Sequence, residues 1–134
     1  MDKIKDLTVS NIHDKVIRNK TTDETLVRLF GKPDKQFNDI ESVLNTYYED
    51  NEAEGSTMDL LDDYTDYFDT EKYEEAVYDG DRFDCLYEYS SEKTAGVSYI
   101  RFYIKDGYIR DYFFGDITDE SVAKKDKYLR QILD

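Results

Sequence analysis

Val97-Ser-Tyr-Ile-Arg-Phe-Tyr-Ile-Lys-Asp-Gly-Tyr-Ile-Arg-Asp-Tyr-Phe-Phe114 decides the fold. Two runs of aromatic and β-branched residues flank Lys105-Asp106-Gly107. An Asp-Gly pair between such runs is a strong short-range hairpin signal, because the tightest hairpin turns need positive φ at both central residues. Strands are therefore predicted over 97–104 and 108–114, with a further one over 83–89. Side chains alternate between the faces of a strand. Ile100, Phe102 and Ile104 thus share a face that reads as core. Tyr99, Arg101, Tyr103 and Lys105 share the other, which reads as an exposed sheet surface carrying tyrosines and bases.

Upstream the period changes to that of helices. Residues 11–20 place Ile12, Val16 and Ile17 on one face, with Ser10 as a cap. Thr21 and Glu24 have capping-box spacing ahead of Leu26, Val27, Leu29 and Phe30. That helix should stop at Gly31, with Pro33 blocking continuation. A further helix is predicted over 39–48, then a solvated turn over 51–56. From Thr57 the residues Leu60, Leu61, Tyr64, Tyr67 and Phe68 form one amphipathic stripe, and Asp59, Asp62, Asp63, Asp66 and Asp69 fall mostly on the remaining faces. Residues 71–78 fit either a helix or a strand. Residues 118–133 read as a C-terminal helix through Val122, Tyr128, Leu129, Ile132 and Leu133. The expected class is α+β: N-terminal helices, an antiparallel meander of three to four strands, and a C-terminal helix. Its 134 residues suit a single domain.

Two stretches together resemble a known scaffold. They are the run from Ile17 to Glu24 leading into Leu29-Phe-Gly-Lys-Pro-Asp34, and Tyr87-Glu-Tyr89 followed by the 102–109 hairpin. This is similar to the half-domain of the β-lactamase-inhibitor-like and SmpA/OmlA-like outer-membrane lipoprotein fold, in which a threonine-to-glutamate helix precedes antiparallel strands. The resemblance implies a protein that binds or inhibits other proteins. It departs from the family pattern between Asp34 and Arg82, where an insertion contains an acidic, tyrosine-rich segment at 47–81. No family binding residues map onto that segment.

Charge is the more informative quantity. The net charge is −14, and residues 47–81 hold fourteen acids against one base, Lys72. So lopsided a field steers association with basic partners and repels nucleic acid. The same segment holds Tyr47, Tyr48, Tyr64, Tyr67, Tyr73 and Tyr78, and tyrosine is enriched at protein interfaces. The competing expectation is an ordinary solvated helix face, with tyrosines such as Tyr64 and Tyr67 turned to the core.

Catalytic chemistry finds little support in the residue types. One histidine, His13, and one cysteine, Cys85, cannot build a usual zinc site within one chain. His13 has no local partners for nucleophilic catalysis and reads as structural, while Cys85 reads as a small buried strand residue. A loop starting at Asp63 would put Glu74 at the twelfth position of an EF-hand, but Phe68 stands where the glycine is needed. A looser acidic calcium site stays open. The first residues, Met1-Asp2-Lys3, carry no apolar run, so the expectation is a cytoplasmic protein without a leader or membrane span.

The expected function is a non-catalytic inhibitory binding protein without a cofactor. Its acidic surface would occlude a basic, nucleic-acid-binding site on a partner protein, as in anti-CRISPR, anti-defence or nuclease-immunity proteins. The expected contact residues are Glu49, Asp50, Asp59, Asp62, Asp63, Asp66, Tyr67, Asp69, Glu74 and Glu75. The alternative is a lipoprotein-like scaffold or toxin-immunity protein that binds a protein or envelope partner without nucleic-acid mimicry.

Overall fold

The computed structural model describes residues 6–53, 55–68, 83–90 and 92–133. In it Asp106 and Gly107 take φ of 53° and 80°, as a type I′ turn requires. They join strands β3 (Ile100–Lys105) and β4 (Tyr108–Phe114). Strand β2 (Cys85–Tyr89) pairs with β3, and a three-residue strand β1 (Lys35–Phe37) pairs with β2. The sheet is antiparallel throughout, in the order β1-β2-β3-β4. The β3–β4 register shifts between Tyr103 and Ile104. Arg110 is the additional residue there, a bulge that lets Ile109 pair with Ile104 on the core face.

Helix α1 (Val9–Lys15) is capped by Thr8, whose side chain accepts from the Asn11 N–H. It starts and ends earlier than the periodicity predicts. Helix α2 (Asp23–Phe30) begins one residue later than the Thr21–Glu24 spacing suggests. Thr22 is the cap, accepting from the Thr25 N–H at 3.2 Å, while the Thr21 hydroxyl turns back to accept from the Ile17 N–H. The loop 19–22 is pinned to β4 through the Asn19 N–H to the Ile109 carbonyl and the Ile109 N–H to the Thr21 carbonyl. That pinning places Thr21 in the loop. Gly31 ends the helix with φ of 91°, a conformation that favours glycine.

Helix α3 (Ile40–Glu52) is capped by Asp39 and takes in the first two residues, Asn51 and Glu52, of the turn predicted over 51–56. Helix α4 (Thr57–Tyr64) is capped by Ser56. Further on are the short helices α5 (Glu92–Ala95) and α6 (Glu120–Ala123), then a 3-10 turn at Leu129–Gln131. The predicted C-terminal helix is thus broken after one turn. The Asp126 carboxylate, itself buried, accepts from the N–H groups of Tyr128 and Leu129 and, across the molecule, from that of Ser10 at 2.9 Å. A side chain occupied in this way competes with the helical backbone.

The sheet is covered on both sides. Phe102, Ile100 and Ile104 are buried as expected. Tyr103, expected on an exposed surface, is also fully buried. Its ring packs edge-on to Tyr47 of α3, with centroids 5.0 Å apart, and against Phe83 at 5.3 Å. Arg101 is largely buried beside it. The alternation of apolar and polar residues was one-sided only in sequence, because α3 brings polar partners to the second face. On the first face Tyr67 packs against Phe114 and Tyr128, and its hydroxyl lies 2.7 Å from that of Tyr112. The buried side chains form one continuous cluster. No helix among the described residues is long and apolar enough to cross a membrane.

Candidate functional site

The acidic residues divide into two populations. Asp59, Asp62, Asp63 and Asp66 are exposed on and just beyond α4, as are Glu49 and Glu52 on the last turns of α3. None of these six forms an ion pair with another described residue. Both helices therefore carry acids at their C-terminal ends and no base in their last turns. The macrodipole disfavours that placement, because unsatisfied carbonyls already make a helix C-terminus negative.

Asp50 belongs to the second population and corrects the expectation of a surface contact. Its side chain is only 4% exposed. It accepts hydrogen bonds from the Arg101 guanidinium at 2.7 Å, the Tyr103 hydroxyl at 2.6 Å and the Tyr99 hydroxyl at 3.2 Å. Arg101 also donates to Glu88 at 2.8 Å and lies 3.9 Å over the Tyr99 ring centroid. Burial pushes the Asp50 carboxyl above its usual range, and the bonds from Tyr103 and Arg101 oppose that. The Tyr99 phenol is pushed up to about 12 by burial and by the Asp50 charge. Every group on Asp50 is a donor, so the carboxylate serves as an acceptor and not as a proton donor. Asp111 on β4 is a second buried acid, paired with Arg18 at 2.9 Å and bonded by Tyr47 at 3.0 Å. Burial raises its carboxyl as well.

Tyr64 and Tyr67 read as one stripe, with Tyr67 also expected at the contact surface; Tyr67 is fully buried, whereas Tyr64 is 68% exposed. The physical reason is the end of α4. The Thr65 hydroxyl bonds back to the Leu61 carbonyl, and the Tyr67 N–H bonds to the Thr65 hydroxyl. The chain leaves the helix there, the helical period lapses, and Tyr67 turns inward. Asp69, Glu74 and Glu75 lie outside the described residues, as do Tyr73 and Tyr78. So does the second half of a calcium loop starting at Asp63.

Between the end of α3 and the start of α4 the chain turns at Gly55, with φ of 67°. The buried Thr57 hydroxyl then donates to the Gly115 carbonyl at 2.7 Å, fastening α4 to the end of β4. This junction encloses a pocket of about 280 Å³ whose lining includes Asp50, Gly55, Met58, Tyr99, Phe113 and Asp116. Among the described residues no lysine, arginine or histidine lines it. Sequence reasoning missed it because Asp50 meets Tyr99 and Arg101 only across about fifty residues.

His13 packs between the rings of Tyr67 and Tyr128, with centroids 4.8 and 4.6 Å away. Cys85 is half-buried on β2, and burial pushes its thiol up to about 11, which disfavours the reactive thiolate. Among the described residues no group of three or more histidines, cysteines or acids is placed to hold a metal ion. No family model, curated protein or solved structure matches this chain.

Proposed function

We propose that this protein is a non-catalytic binding protein whose α3–α4 acidic surface docks on a basic site of a partner protein, of the kind that binds nucleic acid. The observation that carries the proposal is the placement of the exposed acids. A surface selected for helix stability puts cations in the last turn; here Glu49, Glu52, Asp62 and Asp63 stand there instead. Tyr64, exposed among Asp59, Asp62, Asp63 and Asp66, supplies a large amphipathic side chain of the type that anchors interfaces. Carboxylates along a rigid helix offer a basic groove a negative surface in place of phosphates. An anti-defence or nuclease-immunity role fits this chemistry. The half-domain likeness belongs to the same proposal, supported by α2 ending at Gly31 ahead of antiparallel strands.

The experiment is a low-salt capture from the source cell, with elution by rising salt and by double-stranded DNA, run beside a variant carrying Asp59→Asn, Asp62→Asn, Asp63→Asn and Asp66→Asn. A mimic loses its partner steeply as salt rises, is displaced by DNA, and captures far less once neutralised. A partner retained equally by the variant and indifferent to salt and DNA overturns the proposal and favours the scaffold alternative.

A further inference from the structure

We infer that the pocket between α3, α4 and β4 is a subsite for one arginine side chain of the partner. The inference rests on the reading of the acidic surface as a docking site, and it names what enters.

The chemistry of the walls selects a planar cation. Asp116 brings a carboxylate, while Tyr99, Phe113 and Met58 bring aromatic and apolar surface. Asp50 also lines the pocket, but its two oxygens are taken by Arg101, Tyr99 and Tyr103, so it offers an incoming group no acceptor of its own. Arg101 neutralises only part of the local charge, because it is shared between Asp50 and Glu88. Asp116 is exposed and supplies a carboxylate free to meet an incoming group. A guanidinium matches this set better than an ammonium: it stacks on rings, bonds carboxylates through two parallel N–H groups, and is the more weakly hydrated cation. The pocket lies just below the 300–1,000 Å³ usual for small-molecule sites, a size suited to a single long side chain.

The arrangement is also built to hold its shape. A Cβ at Gly115 would approach the Tyr99 ring to 2.7 Å, so glycine there lets the ring lie against the backbone. The Thr57 hydroxyl holds the same residue's carbonyl. At Gly55 an added Cβ meets nothing within 4 Å among the described residues.

The test is a titration of the isolated protein followed by backbone-amide NMR. The probes are acetyl-arginine methylamide, its lysine counterpart, and the neutral isostere acetyl-citrulline methylamide, all at constant ionic strength. The expected result is saturable shifts at Gly55, Tyr99, Gly115 and Asp116 with arginine, weaker ones with lysine, and none with citrulline. Asp116→Asn should weaken arginine binding about tenfold, as loss of a charge-assisted hydrogen bond does. The α4 variant neutralised at residues 59, 62, 63 and 66 should still bind it. Equal shifts with citrulline, or arginine shifts spread along α4 with none at Tyr99 and Gly115, overturn the subsite. Because no partner is needed, the two proposals fail separately. A silent pocket beside a salt-sensitive captured partner removes the subsite alone, and a responsive pocket beside a salt-indifferent partner removes the docking surface alone.

Discussion

The Tyr103 hydroxyl donates to the Asp50 carboxylate at 2.6 Å, tying the last full turn of α3 to the middle of the sheet across 53 residues of chain. With Arg101 and Tyr99 on the same carboxylate, Asp50 is a fixed point of the fold.

Asp50→Ala should therefore act on stability. Removing one partner of a buried ion pair costs about 3–5 kcal/mol, because the other charge stays desolvated. Equilibrium urea unfolding should show a lowered midpoint. An Asp50→Ala protein as stable as the parent would contradict the network.

The exposed aspartates should behave oppositely. Asp59 stands three and four residues before Asp62 and Asp63 on α4, so like charges repel along one face. Neutralising Asp59, Asp62, Asp63 and Asp66 to asparagine should raise stability by a few tenths of a kcal/mol, roughly 0.2–0.5 per relieved pair. A clear loss in thermal melts would mean that these acids have structural partners.

The two threonines that begin α2 can be told apart. Thr22→Ala removes the cap and should cost about 1 kcal/mol. Thr21→Ala removes the bond from the Ile17 N–H and should loosen the 17–21 loop while leaving α2 intact. Amide hydrogen exchange at Thr25 separates them: faster exchange is expected only in the Thr22 variant.

Acidity should stabilise this protein over a limited window. Asp50 and Asp111 have carboxyls raised by burial, so the folded state binds protons more tightly than the unfolded chain. Their contribution is most favourable below the raised values and declines as pH rises through them. Asp39 and Asp119, lowered by hydrogen bonds from Ser42 and Ser121, work the other way: what they contribute is lost as pH falls through their own values. Melting temperature should rise as pH falls from neutral through the raised carboxyls and fall on stronger acidification, below the ordinary carboxylate range of about 4. A monotonic fall from neutral pH downward would refute the raised values.

Gly115→Ala should disturb the end of β4, because the new methyl meets the Tyr99 ring and the Ser98 hydroxyl. Overpacking of this kind costs about 1–3 kcal/mol. Tyrosine fluorescence and urea midpoints would record it.

Local chemistry made the β3–β4 hairpin and α2 legible in the sequence. Asp106-Gly107 is readable as a turn because few residues tolerate its φ values, and Gly31 followed by Pro33 marks a helix end for a similar reason. Strand β1 was not legible: Lys35-Gln36-Phe37 is three exposed residues with no alternation to detect. Asp50 and Tyr103 were misread together. An acid in an acidic run reads as solvated, and a tyrosine alternating with Arg101 reads as exposed, until α3 folds over the second face and joins them. Tyr64 and Tyr67, read on one stripe, part company because a period cannot show where its helix stops. The acids of α4 are exposed as expected, since Thr57, Met58 and Leu61 form the buried side of that short helix.

The Asp126 carboxylate that receives the Ser10 N–H gives the fold a temporal order. Ser10 of helix α1 is made 116 residues before Asp126, which with Tyr128, whose ring lies against His13, completes the seat of that helix. The emerging chain must hold the apolar side of α1, Val9 and Ile12, without that seat until residues near 128 have left the ribosome. Emergence of residues 126–128, rather than synthesis of any one helix, is then the event that completes that seat.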